Sequence, residues 1–155
     1  MQWAEVVANP SLRDLPFKIE LNQWGLIEMS PASTWHSGLQ GRVLAYLFKK
    51  NLGGEVAPEM AVATRIGVRV ADASWRSAEH IRVNAYDSPL SVAPELCIEV
   101  RSESNTNAEF EAKTAAYLAA GAHEVWWVEM DARVRVFDAT GEVASSALVG
   151  ELPVI

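Results

Sequence analysis

The chain has a single cysteine, Cys97, in 155 residues. One thiol excludes an internal disulfide framework and points to a reducing compartment. Set among Leu96, Ile98 and Val100, Cys97 reads as a small buried hydrophobe. No window approaches the roughly 20 apolar residues of a membrane span. The N-terminal MQWAEVVANPSLRD lacks the basic start and apolar run of a signal peptide, so the expected location is cytoplasmic. Positive charge is scarce: Lys and Arg number 13 against 20 Asp and Glu, a formal net charge of −7. That deficit argues against tight non-specific coating of nucleic acid. It leaves room for a nuclease, because carboxylates gathered at a metal site are offset locally by the ion. Gly-rich phosphate loops, CxxC pairs, HxxxH pairs and a GxSxG turn are all missing, which takes support from the chemistries that rest on them.

What is present is enough apolar material for a core. Half the residues are hydrophobic and 21% are charged, and the length suits a single domain over 1–155. Residues 2–9 read as a short helix ended by Pro10. PFKIEL and GLIEMS read as strands around the turn Asn22-Gln23-Trp24-Gly25. Trp35 to Lys50 reads as a helix, with His36, Leu39, Val43, Tyr46 and Leu47 on one side. Ala61 to Trp75 is β-rich, with Val62, Thr64, Ile66, Val68 and Val70 alternating against Arg65 and Arg69. Glu95 to Arg101 is a strand after Pro94. Ala108 to Ala120 is a helix opened by the capping box Thr106-Asn107-Ala108-Glu109 and closed by Gly121. Strands Val125 to Glu129 and Arg133 to Asp138 follow. The pattern is α/β (α+β), a mixed sheet with helices against it. Trp126 and Trp127 alternate sides of their strand, which places one in the core and the other at the surface or an interface.

The chemistry concentrates in PELCIEVRSESNTNAEFEAKTAAY, residues 94–117. Glu99 ends a strand with the signature of a buried central one. Asp72 continues the apolar parity of an upstream run, an odd place for a charge. A buried carboxylate needs a partner or a metal, and two of them can hold a divalent ion while an ammonium positions a water. Lys113 falls about 60° from Phe110 on the helix wheel, at the edge of the inward face. It either snorkels outward or reaches a carboxylate beneath the helix. His36 is a core or capping histidine, or a group touching a scissile phosphate, with Gln40 one turn on. Glu28 is a solvated strand charge or a further acidic ligand.

These stretches resemble the Uma-type restriction endonuclease family of the PD-(D/E)XK nuclease fold. The matching pieces are Ile19-Glu20-Leu21, Gly25-Leu26-Ile27-Glu28-Met29-Ser30-Pro31, His36 opening a helix, and Val70-Ala71-Asp72. They continue through Pro94 to Ser102, Lys113 with Tyr117, and Gly121 with the strand Val125 to Val128. The resemblance implies a restriction-endonuclease-like central mixed sheet flanked by helices, Mg²⁺ or Mn²⁺ held by Asp72 and Glu99, and DNA as substrate. Ala71 stands where a proline precedes the aspartate. Arg101 stands where the broad fold has an in-strand lysine; arginine cannot act as a base but can hold a phosphate. The lysine role then falls to Lys113. A homodimer is expected, with Lys49, Lys50, Arg65 and Arg69 as candidates around paired clefts and the tryptophans supplying contact surface. The competing class is a catalytically degenerate module for interaction or regulation. A small-molecule hydrolase using the same carboxylates has no motif of its own.

Overall fold

The computed structural model describes residues 1–155. Helix α1 (Trp3–Ala8) is followed by strands β1 (Phe17–Asn22) and β2 (Ile27–Pro31), helix α2 (Thr34–Lys50), and strands β3 (Glu55–Thr64) and β4 (Gly67–Arg76). Then come α3 (Ala78–Asn84), β5 (Leu96–Val100), α4 (Asn107–Ala119), β6 (Glu124–Val128), β7 (Val134–Asp138) and β8 (Gly141–Val143). The eight strands form one sheet in the order β2-β1-β4-β5-β6-β7-β8, with β3 also paired to β4. Only β5 and β6 run parallel, joined by the crossover helix α4; this is the connection parallel neighbours require.

The helices cover both faces. Leu39, Val43 and Leu47 of α2 pack with Trp75, Ile98 and Trp126 on one side. Phe110 and Tyr117 of α4 pack with Cys97, Val125 and Trp127 on the other. Truncating Leu39 or Leu47 to alanine therefore costs about 2–5 kcal/mol. Sequence alternation put one of Trp126 and Trp127 at the surface, yet both are buried, because a strand between two helical layers buries both of its faces. The β-rich stretch from residue 61 to 75 is not one strand. Its alternation is broken by the turn at Arg65 and Ile66, and β3 and β4 form a long hairpin. The capping box at Thr106 and Glu109 forms as the sequence predicts.

One feature of the sheet makes the site. β1 and β5 pair with the same edge of β4 at opposite ends. β1 meets it at Gly67 and Val68, and β5 at Ala73 to Trp75. Between them the edge of β4 is a fork with no ladder partner. The close end of the fork depends on Gly67, where a Cβ would lie 2.1 Å from the Leu21 carbonyl oxygen. Amide groups in such a gap must find other acceptors. Val70 N–H donates to Glu20 Oε1 at 2.8 Å, and Val100 N–H donates to Asp72 Oδ2 at 2.7 Å. Carboxylates thus stand in for the missing strand.

Candidate active site

Register explains why Asp72 and Glu99 converge. Ala73 pairs with Ile98 in the last rung of the β4–β5 ladder. One step further along both strands, Asp72 would face Glu99, and directly opposed residues in an antiparallel pair project to the same side. The same logic at the other end, one step past Leu21–Val68, sets Glu20 opposite Arg69. Glu20 also pairs with Glu28 across β1 and β2.

The side chains form a connected network. Asp72 Oδ1 accepts from Lys18 Nζ at 2.8 Å, and Asp72 Oδ2 lies 3.3 Å from His36 Nε2. Glu99 Oε2 accepts from Lys18 Nζ and from Lys113 Nζ, both at 3.2 Å, while Oε1 accepts from the Tyr117 hydroxyl at 2.8 Å. Lys113 Nζ also donates to Glu20 Oε1 at 3.0 Å. Arg69 links Glu20 to Glu28. Gln40 donates to the Asp72 backbone carbonyl at 2.6 Å. Lys18, His36, Asp72, Glu99 and Lys113 line a cleft of about 270 Å³. Glu59 also lines it, and its backbone is left-handed at φ 54°.

Burial sets the electrostatics. Asp72 and Glu99 are 2% and 3% exposed, so each carboxylate charge requires a nearby cation or a full set of hydrogen-bond donors. Burial works against the Asp72 charge, but Lys18 and His36 hold its carboxyl well below the usual carboxylate range. For Glu99 burial wins: it lifts the carboxyl above its ordinary value against the pull of Lys113 and Lys18. Burial opposes the Glu20 charge as well, yet Lys113 and Lys18 bring it below the ordinary range. The two carboxylates that share Lys18 thus have pKa values pushed in opposite directions by their surroundings.

The structure brings four of the six residues singled out from sequence into this network directly: Asp72, Glu99, Lys113 and His36. Lys113 reaches the buried carboxylates and does not snorkel. Glu28 lies at the rim, about half exposed, and faces Arg69. Arg101 is not brought into the cluster. Its Nε donates to Glu129 at 2.6 Å, and its guanidinium stacks over Phe110 at 4.3 Å. Arg101 keeps to the α4-covered side of the sheet, but one step past the strand end the Glu129 carboxylate and the Phe110 ring hold its guanidinium away from the carboxylates. Arg69, expected on a basic rim, is buried between Glu20 and Glu28. Lys49 and Lys50 close α2 at the end away from His36, about 20 Å along the helix. Lys18 and Glu20 were missed as site residues. Their signal was two charges at i and i+2 on one face of PFKIEL, a strand otherwise apolar.

The donor set suits a hard divalent ion. Asp72 Oδ1 and Glu99 Oε2 point at one and the same cation, the Lys18 ammonium. No group of three His, Cys, Asp or Glu side chains is close enough to hold a metal. Two carboxylates completed by water and substrate phosphate are a usual arrangement for Mg²⁺.

Comparison with known proteins agrees with this architecture. The model of the Uma2 family, described as "Putative restriction endonuclease", matches residues 9–150. The chain belongs to that family. A crystal structure of "a putative nuclease belonging to DUF820 from Anabaena variabilis ATCC 29413" shares the fold, with a TM-score of 0.72 at 15% identity, covering 96% of this chain and 91% of that one. No curated protein matches. No helix is long and apolar enough to cross a membrane.

Proposed function

We propose that the chain is a divalent-metal-dependent endonuclease that hydrolyses phosphodiester bonds of DNA, acting as one restriction-endonuclease-like domain in the cytoplasm. The observation that carries this reading is the convergence of Asp72 Oδ1 and Glu99 Oε2 on a single positive charge at the floor of a cleft, with Lys113 on the same Glu99 oxygen. Asp72 and Glu99 would hold Mg²⁺ or Mn²⁺. When bound, such an ion polarises a phosphoryl oxygen and lowers the pKa of a coordinated water. Lys113, anchored by Glu20, orients the attacking water or the phosphate. Tyr117 and the Val100 amide fix the two carboxylates by their other oxygens. His36 braces Asp72 from the cleft side and reaches toward a bound phosphate. Cutting both strands of a duplex takes two sites, which a two-fold homodimer supplies; sedimentation at micromolar protein tests that element.

The deciding experiment is cleavage of single- and double-stranded DNA and RNA in Mg²⁺ and in Mn²⁺, with Asp72→Ala as control. Metal-dependent DNA cleavage lost in the variant is expected. Mn²⁺ binding at Asp72 and Glu99 without cleavage of any substrate would sink the nuclease reading. Neither binding nor cleavage would favour the non-catalytic module, for which the capture of Arg101 by Glu129 already speaks.

A further inference from the structure

Each of the two central carboxylates has one oxygen committed to the scaffold and one free to face the cleft. Asp72 Oδ2 is held by the Val100 amide and His36, and Glu99 Oε1 by Tyr117. The remaining pair, Asp72 Oδ1 and Glu99 Oε2, both bind Lys18 Nζ. These are the oxygens a metal ion would require. Lys113 also touches Glu99 Oε2, but it keeps Glu20 as a second anchor. Lys18 has no carboxylate partners besides these two. Its side chain is 15% exposed and stands in the cleft wall beside Leu15, Pro16 and Phe17, with open space in front of it.

We propose that Lys18 is a resident cation: it neutralises the Asp72–Glu99 pair in the metal-free protein and swings into the cleft when a divalent ion loads. The inference rests on the metal-site reading above. Its physical basis is competition. An ammonium and a divalent ion cannot share the same two oxygens, because like charges at about 3 Å in a poorly solvated site repel strongly. Without Lys18, two buried carboxylates would lose a countercharge, and the metal-free fold would suffer. The strand that carries Lys18 also carries Glu20, the anchor of Lys113, so β1 supplies both the removable cation and the support for the one that stays. Once displaced, the Lys18 ammonium faces the opening through which a phosphodiester backbone would enter, where it is a ready phosphate partner.

Titrating free Mn²⁺ by electron paramagnetic resonance against the full chain, without nucleic acid, tests this. Lys18→Met is expected to bind Mn²⁺ about tenfold or more tightly than wild type, and its thermal midpoint should rise further on adding Mn²⁺. Lys18→Gln serves if the methionine variant does not fold without metal. Amine acylation of wild type, read by mass spectrometry, should modify Lys18 faster in saturating Mg²⁺ than in chelator. Equal or weaker Mn²⁺ affinity in the variants, or labelling of Lys18 indifferent to Mg²⁺, overturns the proposal while leaving the metal site intact. If neither wild type nor variant binds Mn²⁺, the metal-site reading itself fails and takes this inference with it.

Discussion

Two buried strand carboxylates in this molecule are solvated in opposite ways. Glu99 of β5 and Glu124 of the adjacent β6 are each 3% exposed. Glu124 is held entirely by neutral donors: the Trp126 indole, the Ser146 hydroxyl and the amides of Ala147 and Leu148. Glu99 is held by two ammonium groups and one phenol. Neutral dipoles fixed in the fold cannot be exchanged for another cation, so Glu124 pins residues 146–148 onto the sheet. Ammonium groups on flexible stems can move aside, so Glu99 can trade a lysine for another cation. Burial of a carboxylate is common to both; what separates anchor from site is whether its partners are replaceable.

The sharpest way to break this comparison is to neutralise a carboxylate on each side. Asp72→Asn, in the fork with Glu99, should lower metal-dependent cleavage by about 10³-fold or more, since it removes one of the two carboxylate charges that would hold the ion. Glu124→Gln should leave cleavage per folded molecule unchanged. Initial rates on plasmid DNA in Mg²⁺ decide it; a Glu124 variant as dead as the Asp72 variant would erase the distinction.

Lys113→Met comes next in size, because it strikes both roles. Lys113 joins Glu20 to Glu99, so its loss leaves two buried carboxylates short of a cation. Breaking a buried pair in this way costs about 3–5 kcal/mol. Cleavage should be lost as well. Urea denaturation, compared with rates on the folded fraction, separates the two effects. A midpoint equal to that of wild type would mean that Lys18 and Arg69 already neutralise the site without help.

On the anchor side, Glu124→Leu should cost about 2–4 kcal/mol, since several buried donors lose their acceptor at once. The expected signature is a lower thermal midpoint by circular dichroism and earlier proteolysis within residues 144–155, with the metal site untouched. Wild-type protection of that segment in the variant would show that Leu148, Val149 and Leu152, which pack against the core, hold it without the carboxylate.

Much of this contrast was legible in the sequence. Asp72 announced itself by sitting where an apolar residue was due, and Glu99 by ending a strand with a core-like neighbourhood. Lys113 was visible at the edge of a helical face. Lys18 and Glu20 were harder to see, because two charges alternating with Phe17, Ile19 and Leu21 are also what an ordinary half-solvated strand looks like. Their role depends on the fork between β1 and β5, a matter of which strands pair and where pairing stops. No local pattern carries that information. Arg101 failed for a related reason: its side chain was decided by Glu129, 28 residues away. Helices α1, α2 and α4 and the β1–β2 hairpin, set by caps and turns, were legible to within about two residues, whereas the short helix α3 was not read at all.

The smallest expected effect concerns His36, the only member of the cleft network with an ordinary pKa near neutrality. Its hydrogen bond to Asp72 raises the imidazole above the ordinary 6.5, with partial burial pulling the other way. A group whose pKa is raised on folding contributes stability that is fully present below its unfolded value and fades as pH rises through its folded one. Wild type should therefore lose a little stability above about pH 6.5 that His36→Gln does not, since a neutral amide has nothing to titrate. The imidazole is partly exposed, so the difference should stay below about 1 kcal/mol. Urea midpoints of both proteins from pH 6 to 9 measure it. Parallel curves across that range would mean that the imidazole stands neutral beside Asp72, leaving Lys18 alone to balance the aspartate.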